Sequence, residues 1–192
     1  MTRQFHMRQL LAALLVALSA CASTGGGQTY HDKNMDFGSI RTVAVMPIAN
    51  LSRDNLAGDR VRDVLTTMLL ASGAVYVVPY GEVARVASRA GIANPTAPSV
   101  EELTKLGTQL KVDGVITGVL KEYGEIRSGS AAANSISVSL QLHETATGKV
   151  VWSGSSTKGG ITFGDRLIGG GGAPMNDVTE AVCDELLSKL FR

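Results

Sequence analysis

The 192-residue chain has little of the chemistry that enzymes use. It contains three histidines and two cysteines, and neither residue type recurs at a spacing that would bind a metal. Its glycines form no Gly-x-x-x-x-Gly-Lys-Ser/Thr phosphate loop, and no Gly-x-Ser-x-Gly nucleophile elbow is present. The sequence therefore predicts a protein that is not an enzyme, with no catalytic residue, no cofactor and no metal.

The chain also lacks an excess of charge of either sign. It has 18 basic and 17 acidic residues. Proteins that bind nucleic acid carry a basic patch or stripe that contacts phosphates, and a balanced charge argues against such a patch. We therefore expect no nucleic-acid partner.

Long apolar runs are absent apart from one run near the N-terminus. Arg3 and Arg8 precede the apolar run Leu10–Leu18, and small residues then lead to Cys21. This is the layout of a secretory signal peptide. The alternatives are a membrane anchor and an ordinary signal with an incidental cysteine. The nine-residue run argues against the anchor, because a spanning helix needs roughly 20 apolar residues.

The segment Leu18-Ser19-Ala20-Cys21 resembles the lipobox of bacterial lipoproteins. The resemblance implies removal of residues 1–20, a diacylglyceryl group on the Cys21 sulfur and an acyl group such as palmitate on the new amino terminus. Two or more acyl chains make a stable membrane anchor. Ala22 rather than aspartate follows the cysteine, which implies sorting to the outer membrane with the domain facing the periplasm.

The mature chain divides into a tether and one domain. Residues 21–39, the lipidated cysteine and a flexible linker, are rich in small and polar residues that do not form a core. About 18 residues of such chain reach at most about 65 Å. Residues 40–192 are long enough to form a single periplasmic domain with its own core.

The apolar pattern of this domain predicts an α/β fold. Runs at residues 42–48, 75–78 and 112–120 predict three buried strands, which right-handed crossovers make parallel. Residues 135–143 alternate between apolar and polar, and residues 150–154 follow a turn, so they predict an antiparallel hairpin with one wet face. Helical periodicity predicts helices at residues 56–71, 81–89, 100–110 and 176–191. The prediction is a mixed sheet packed with helices.

Three segments resemble motifs of the CsgG-like family of envelope lipoproteins. They are VAVMPIANLS at residues 43–52, VDGVITG at residues 112–118 and TATGKVVWSG at residues 145–154. The layout is similar to the small members related to the neisserial surface-antigen lipoprotein, to the N-terminal domain of TolB and to the LpoB fold type. The resemblance implies a CsgG/TolB-N-like fold and a role in the cell envelope.

CsgG builds an outer-membrane barrel from two inserted hairpins, and this chain departs from it there. The corresponding segments are residues 122–134 and 155–175. A spanning strand needs roughly 9–11 residues of alternating apolar pattern. Neither segment supplies two such strands, so we expect no pore.

The predicted function is therefore that of a non-catalytic accessory or scaffold in envelope assembly, secretion or transport. It would act through protein–protein contacts, with self-association into a homo-oligomer as a further expectation. The alternative is an LpoB-like activator of a penicillin-binding protein in peptidoglycan synthesis. A short linker on the outer membrane disfavours that alternative, because the synthase sits in the inner membrane.

Few side chains stand out as contacts for a partner. Phe163, Leu167 and Ile168 are large apolar residues in a glycine-rich loop, where they either fold back on the core or form a contact patch. His143 falls on the polar face of its strand and is expected to be an exposed residue. Cys183 lies in a helical pattern and is expected to pack in the core.

Overall fold

The structure is a computed structural model that describes residues 28–129, 131–161 and 172–191. Its strands are β1 (Thr29–His31), β2 (Thr42–Val45), β3 (Ala49–Asn50), β4 (Tyr76–Val77), β5 (Gly114–Ser128), β6 (Ala131–Glu144) and β7 (Val150–Gly159). Its α-helices are α1 (Ala57–Ser72), α2 (Tyr80–Ala90), α3 (Val100–Leu110) and α4 (Met175–Leu190). A 3-10 turn covers Phe37–Ser39.

The described strands form one mixed sheet in the order β1-β7-β6-β5-β2-β4, with β3 pairing to the middle of β5. β2 pairs in parallel with both β4 and β5. β5, β6, β7 and β1 are joined by antiparallel pairs. The predicted fold class, a mixed sheet with three parallel strands and an antiparallel hairpin, is confirmed.

Helices cover the two faces of the sheet unequally. α1 and α4 pack on one face over the larger core, which includes the fully buried Trp152. α2 and α3 pack on the other face, over β2 and the start of β5, and form a smaller core. The remainder of that second face, on β5, β6 and β7, has no described helix over it.

The helix ends follow local sequence signals. Ser99 caps α3, and Glu102 completes a capping box by accepting a hydrogen bond from the Ser99 backbone N–H. Gly73 and Gly91 end α1 and α2 in the left-handed conformation that glycine adopts without strain. Each predicted helix lies within one residue of its observed bounds.

The N-terminal strand is a difference from the sequence prediction. β1 and the 3-10 turn fall inside residues 21–39, the segment assigned to a flexible linker. His31 holds this segment to the domain: its ring makes edge contacts with Phe37 and Trp152, and its Nε2 lies 3.0 Å from the Lys189 carbonyl. Residues 21–39 have the composition of a linker, and composition does not reveal the long-range contacts of His31 that hold this strand to the sheet.

A second difference is the length of β5 and β6. The sequence predicts no strand between residues 122 and 134, yet β5 continues to Ser128 and β6 begins at Ala131. We call this extension, residues 121–134, the arm. A bulge between Leu120 and Glu122 shifts the pairing register, which breaks the apolar alternation along β5.

Within the described ranges, no helix is long and apolar enough to cross a membrane.

The 145–154 motif has a structural role in this fold. Thr145 is buried and donates a hydrogen bond of 2.6 Å from its hydroxyl to the Val112 carbonyl, which ties the β6–β7 turn to the start of β5. Gly148 has a φ of 70°, and a Cβ there would lie 2.5 Å from Val100. The motif therefore specifies how the hairpin joins the domain.

Candidate binding surface

The uncovered part of the sheet is a largely polar surface, which we call the open face. Strand register places its side chains in rows across the sheet. Val119, Ser139 and Ser155 share one row, and Thr117, Gln141 and Ser153 share the next. The Ser137 and Thr157 hydroxyls lie 2.9 Å apart in a further row. These side chains are the wet face that the alternation in β6 predicts.

One side of the open face is walled by the loop before α3, and the two enclose a groove of about 310 Å³. The Asn94 side chain fixes the loop by accepting hydrogen bonds from the backbone N–H and hydroxyl of Thr96, at 3.2 and 2.7 Å. The groove is lined by Thr96, Ala97, Pro98, Thr117, Gly118, Val119, Ser139, Gln141 and His143. No aspartate, glutamate, lysine or arginine is among them.

His143 closes one end of the groove and is half-buried, not exposed as expected from the sequence. Its Nε2 lies 3.1 Å from the Thr117 hydroxyl, and its Nδ1 lies 3.4 Å from the Gly148 carbonyl. Burial lowers the pKa of His143, and the Gly148 carbonyl opposes that shift. The neutral ring is therefore favoured. Its second partner is a carbonyl, where a nucleophilic triad would have a carboxylate.

A second concave surface lies at the base of the arm. Its cleft of about 340 Å³ is lined by residues 51–53, 121–126 and 135. Leu51 and Ile126 are exposed there, Leu51 to 70%. Asn50 shapes the loop beside it: its Oδ1 accepts from the Ser52 backbone N–H and its Nδ2 donates to the Asp54 carbonyl.

Beyond Leu120, no other described strand pairs with the outer edge of β5. That edge presents backbone N–H and carbonyl groups along the arm. Such an edge can pair with a strand of another chain.

Glu185 on α4 is the centre of a charged cluster on the opposite side of the sheet. It accepts hydrogen bonds from Lys158, Lys189 and Ser156, at 2.5, 2.5 and 3.0 Å. Partial burial raises the pKa of Glu185, but these three hydrogen bonds outweigh that effect and lower the pKa to about 2. The cluster fastens α4 to β7.

Replacing Glu185 with glutamine is expected to lower the free energy of unfolding by about 2 kcal/mol at neutral pH. Because the folded-state pKa lies below its usual value of 4.5, the ionised side chain stabilises the fold above about pH 4.5. That stabilisation disappears as the pH falls towards 2. Urea unfolding at several pH values measures the difference between the two proteins.

The matched control for this prediction is Glu180→Gln, at an exposed position of the same helix. It should change the free energy of unfolding by less than about 0.5 kcal/mol. A deficit of Glu185→Gln that stayed constant between pH 7 and pH 3 would contradict the assigned role.

Cys183 is buried on α4, as the helical pattern predicts. Burial, with a smaller contribution from Glu180, raises the pKa of its thiol to about 12. A thiol with so high a pKa is not a nucleophile at neutral pH. Within the described ranges, no group of three or more histidine, cysteine, aspartate or glutamate side chains could hold a metal ion.

The remaining predicted site residues lie outside the described residues. These are Cys21, the predicted lipidation site, and the predicted contact residues Phe163, Leu167 and Ile168. They stay predictions. The groove was not predicted, although the alternation in β6 indicated that one face of the hairpin is polar.

Residues 26–157 match the family model described as "Peptidoglycan-synthase activator LpoB". No protein with a curated description matches the chain.

Among solved structures, the chain is similar to a PelC L103M dodecamer from Paraburkholderia phytofirmans, with 18% identity and a TM-score of 0.59 over 86% of this chain and 98% of that one. It is also similar to lipoprotein GNA1162 from Neisseria meningitidis, with 20% identity and a TM-score of 0.53 over 77% and 99% of the two chains. The LpoB C-terminal domain from Salmonella enterica matches with 14% identity and a TM-score of 0.49, over 66% and 87%.

Proposed function

Since the chain belongs to the LpoB family of peptidoglycan-synthase activators, we propose that it binds a peptidoglycan synthase of the penicillin-binding-protein class and raises its activity. The observation that carries this proposal is the family match, which spans the sheet from before β1 to near the end of β7. This match favours the second function predicted from the sequence, activation of a penicillin-binding protein, over a role in secretion or transport. The chain acts as a regulator and catalyses no step itself.

We propose that the open face and its groove dock the synthase. The groove is preformed, because hydrogen bonds hold both its loop and His143. It is uncharged, so a partner surface rich in neutral hydrogen-bonding groups fits it without desolvating an unpaired charge. The groove offers such a protein hydroxyl groups, the Gln141 amide and the His143 imidazole for hydrogen bonding.

The experiment that tests the function uses residues 22–192, the mature chain without its lipidated cysteine, and a synthase from the same organism. The protein is added to the purified synthase, and glycan polymerisation and crosslinking are followed over time. A concentration-dependent rise in either rate supports the proposal. Unchanged rates, together with no binding in a pull-down, would refute it.

We propose that the protein is anchored at the outer membrane through Cys21, with its domain in the periplasm. Because β1 begins at Thr29, the tether is eight residues long and spans at most about 28 Å. This is shorter than the reach expected from composition. The synthase must therefore be contacted close to the membrane that holds the lipid, on a part that extends to that membrane.

Replacing Cys21 with alanine is expected to abolish incorporation of labelled palmitate and to remove the protein from the outer-membrane fraction. The reason is that the thioether forms only on the Cys21 sulfur. Cys183→Ala is the control and should keep both the label and the fraction, since that thiol is buried. Label that persisted in Cys21→Ala would rule out this anchor.

Self-association stays a proposal as well. The unpaired edge of β5 along the arm supports it, and the PelC relative was solved as a dodecamer. The molar mass of the mature chain in solution tests it, with a monomer at all concentrations as the contrary outcome.

A further inference from the structure

A separate cavity of about 430 Å³ opens where the ends of α1 and α4 meet the sheet. It lies on the face of the sheet opposite to the groove. Small-molecule sites have volumes of about 300–1,000 Å³. The deep walls are core side chains, each no more than 3% exposed: Val43, Leu69, Ile116 and Leu142. These side chains form an apolar surface that an apolar ligand would contact.

One part of the rim is aromatic and held in place. The His31 and Phe37 rings meet edge to face with centroids 5.4 Å apart, and His31 Nε2 lies 3.0 Å from the Lys189 carbonyl. Phe191, which is 44% exposed, lies on another part of the rim. The opening is therefore framed by rings above an aliphatic floor.

The rim also carries a cation. Arg41 is the one lysine or arginine among the described residues that line the cavity. Its Nε donates to the Gly38 carbonyl at 2.9 Å, which fixes the guanidinium, and its Nη1 and Nη2 atoms bond no described residue. A guanidinium held in this way can bind a carboxylate through two parallel hydrogen bonds.

The neighbouring protein carboxylates are already engaged. Asp36 accepts a hydrogen bond from the Gly38 backbone N–H. Asp113 accepts from the backbone N–H groups of Arg41 and Thr42, both at 2.9 Å. Neither side chain lines the cavity. The lining therefore combines aliphatic walls with one free cationic end.

We propose that this cavity binds a single-chain aliphatic carboxylate, with the chain against the apolar walls and the carboxylate on Arg41. The two ends of such a ligand match the two chemistries of the lining. A phospholipid is a poorer match, because its second chain would have no apolar wall. The proposal rests on the cavity alone and does not depend on synthase activation.

The test is a titration of the mature chain with dansyl-labelled undecanoic acid, followed by displacement with dodecanoic acid or dodecanol. We expect saturable binding and displacement by dodecanoic acid. Arg41→Gln should weaken binding of dodecanoic acid about tenfold and leave dodecanol unchanged. Arg53→Gln, outside this cavity, is the charge-matched control and should change neither. Ala74→Trp, which fills the cavity from its exposed edge, should weaken both ligands.

Three results would overturn the proposal. The first is an absence of saturable binding by the folded wild-type chain. The second is an Arg41→Gln variant that binds acid and alcohol in the same ratio as the wild type, since the carboxylate would then not lie on Arg41. The third is displacement by phospholipid vesicles with none by dodecanoic acid. Circular dichroism of each variant establishes that it is folded.

Discussion

Replacing Ser139 with arginine is expected to reduce stimulation of the synthase by at least about tenfold. Ser139 lies on β6 between Val119 and Ser155 and lines the groove. An arginine there would place a large charged side chain in a groove whose lining has no charged residue. Docking would have to desolvate that charge without a partner, which costs several kcal/mol when the group is buried.

The measurement is the rate of glycan polymerisation at increasing concentrations of each variant. Ser88→Arg is the matched control, because Ser88 is exposed on α2 and does not line the groove. It should stimulate as well as the wild type. Equal stimulation by Ser139→Arg would show that the synthase docks elsewhere, and the arm would become the next surface to alter.

Replacing Gly107 with alanine is expected to lower the free energy of unfolding by about 3 kcal/mol, a large effect for one methyl group. A Cβ at Gly107 would lie 2.2 Å from the Cβ of Thr145. Thr145 cannot simply move, because its hydroxyl is bonded to the Val112 carbonyl at 2.6 Å. Relief of the overlap therefore displaces either α3 or the β6–β7 turn.

Gly81→Ala is the control for that prediction. Gly81 lies in the first turn of α2, and a Cβ there meets nothing within 4 Å. Because alanine favours helix more than glycine does, this variant should be as stable as the wild type or up to about 1 kcal/mol more stable. Urea unfolding of the wild type and the two variants measures these differences in the free energy of unfolding. Equal stability of the two variants would contradict the proposed contact between α3 and the turn.

Much of the fold was predictable because its elements carry local signals. Helices α1 to α4 have one apolar stripe each, and capping residues such as Ser99, Gly73 and Gly91 mark their ends. The alternation in β6 also predicted which of its faces is polar. These features depend on residues that are near one another in the chain, so the sequence alone reveals them.

The missed features depend on contacts between distant residues. The groove brings Thr96 next to His143, and neither residue has a local pattern that indicates a site. β1 forms because His31 meets Trp152, which lies more than a hundred residues further along. Along β5 the arm has no regular apolar alternation, so its strand character comes from pairing between β5 and β6 and not from periodicity.

The pairing of β1 with β7 has a consequence for how the chain folds. Thr29 lies opposite Gly154, so the first strand that the structure describes pairs with the last one. Contacts of such high sequence separation form slowly, because a long loop must close before they stabilise anything. In a chain that crosses a membrane with its N-terminus first, residues 29–31 emerge well before their partner. Under the proposed export, residues 29–31 therefore stay unpaired until residues 152–154 have crossed as well.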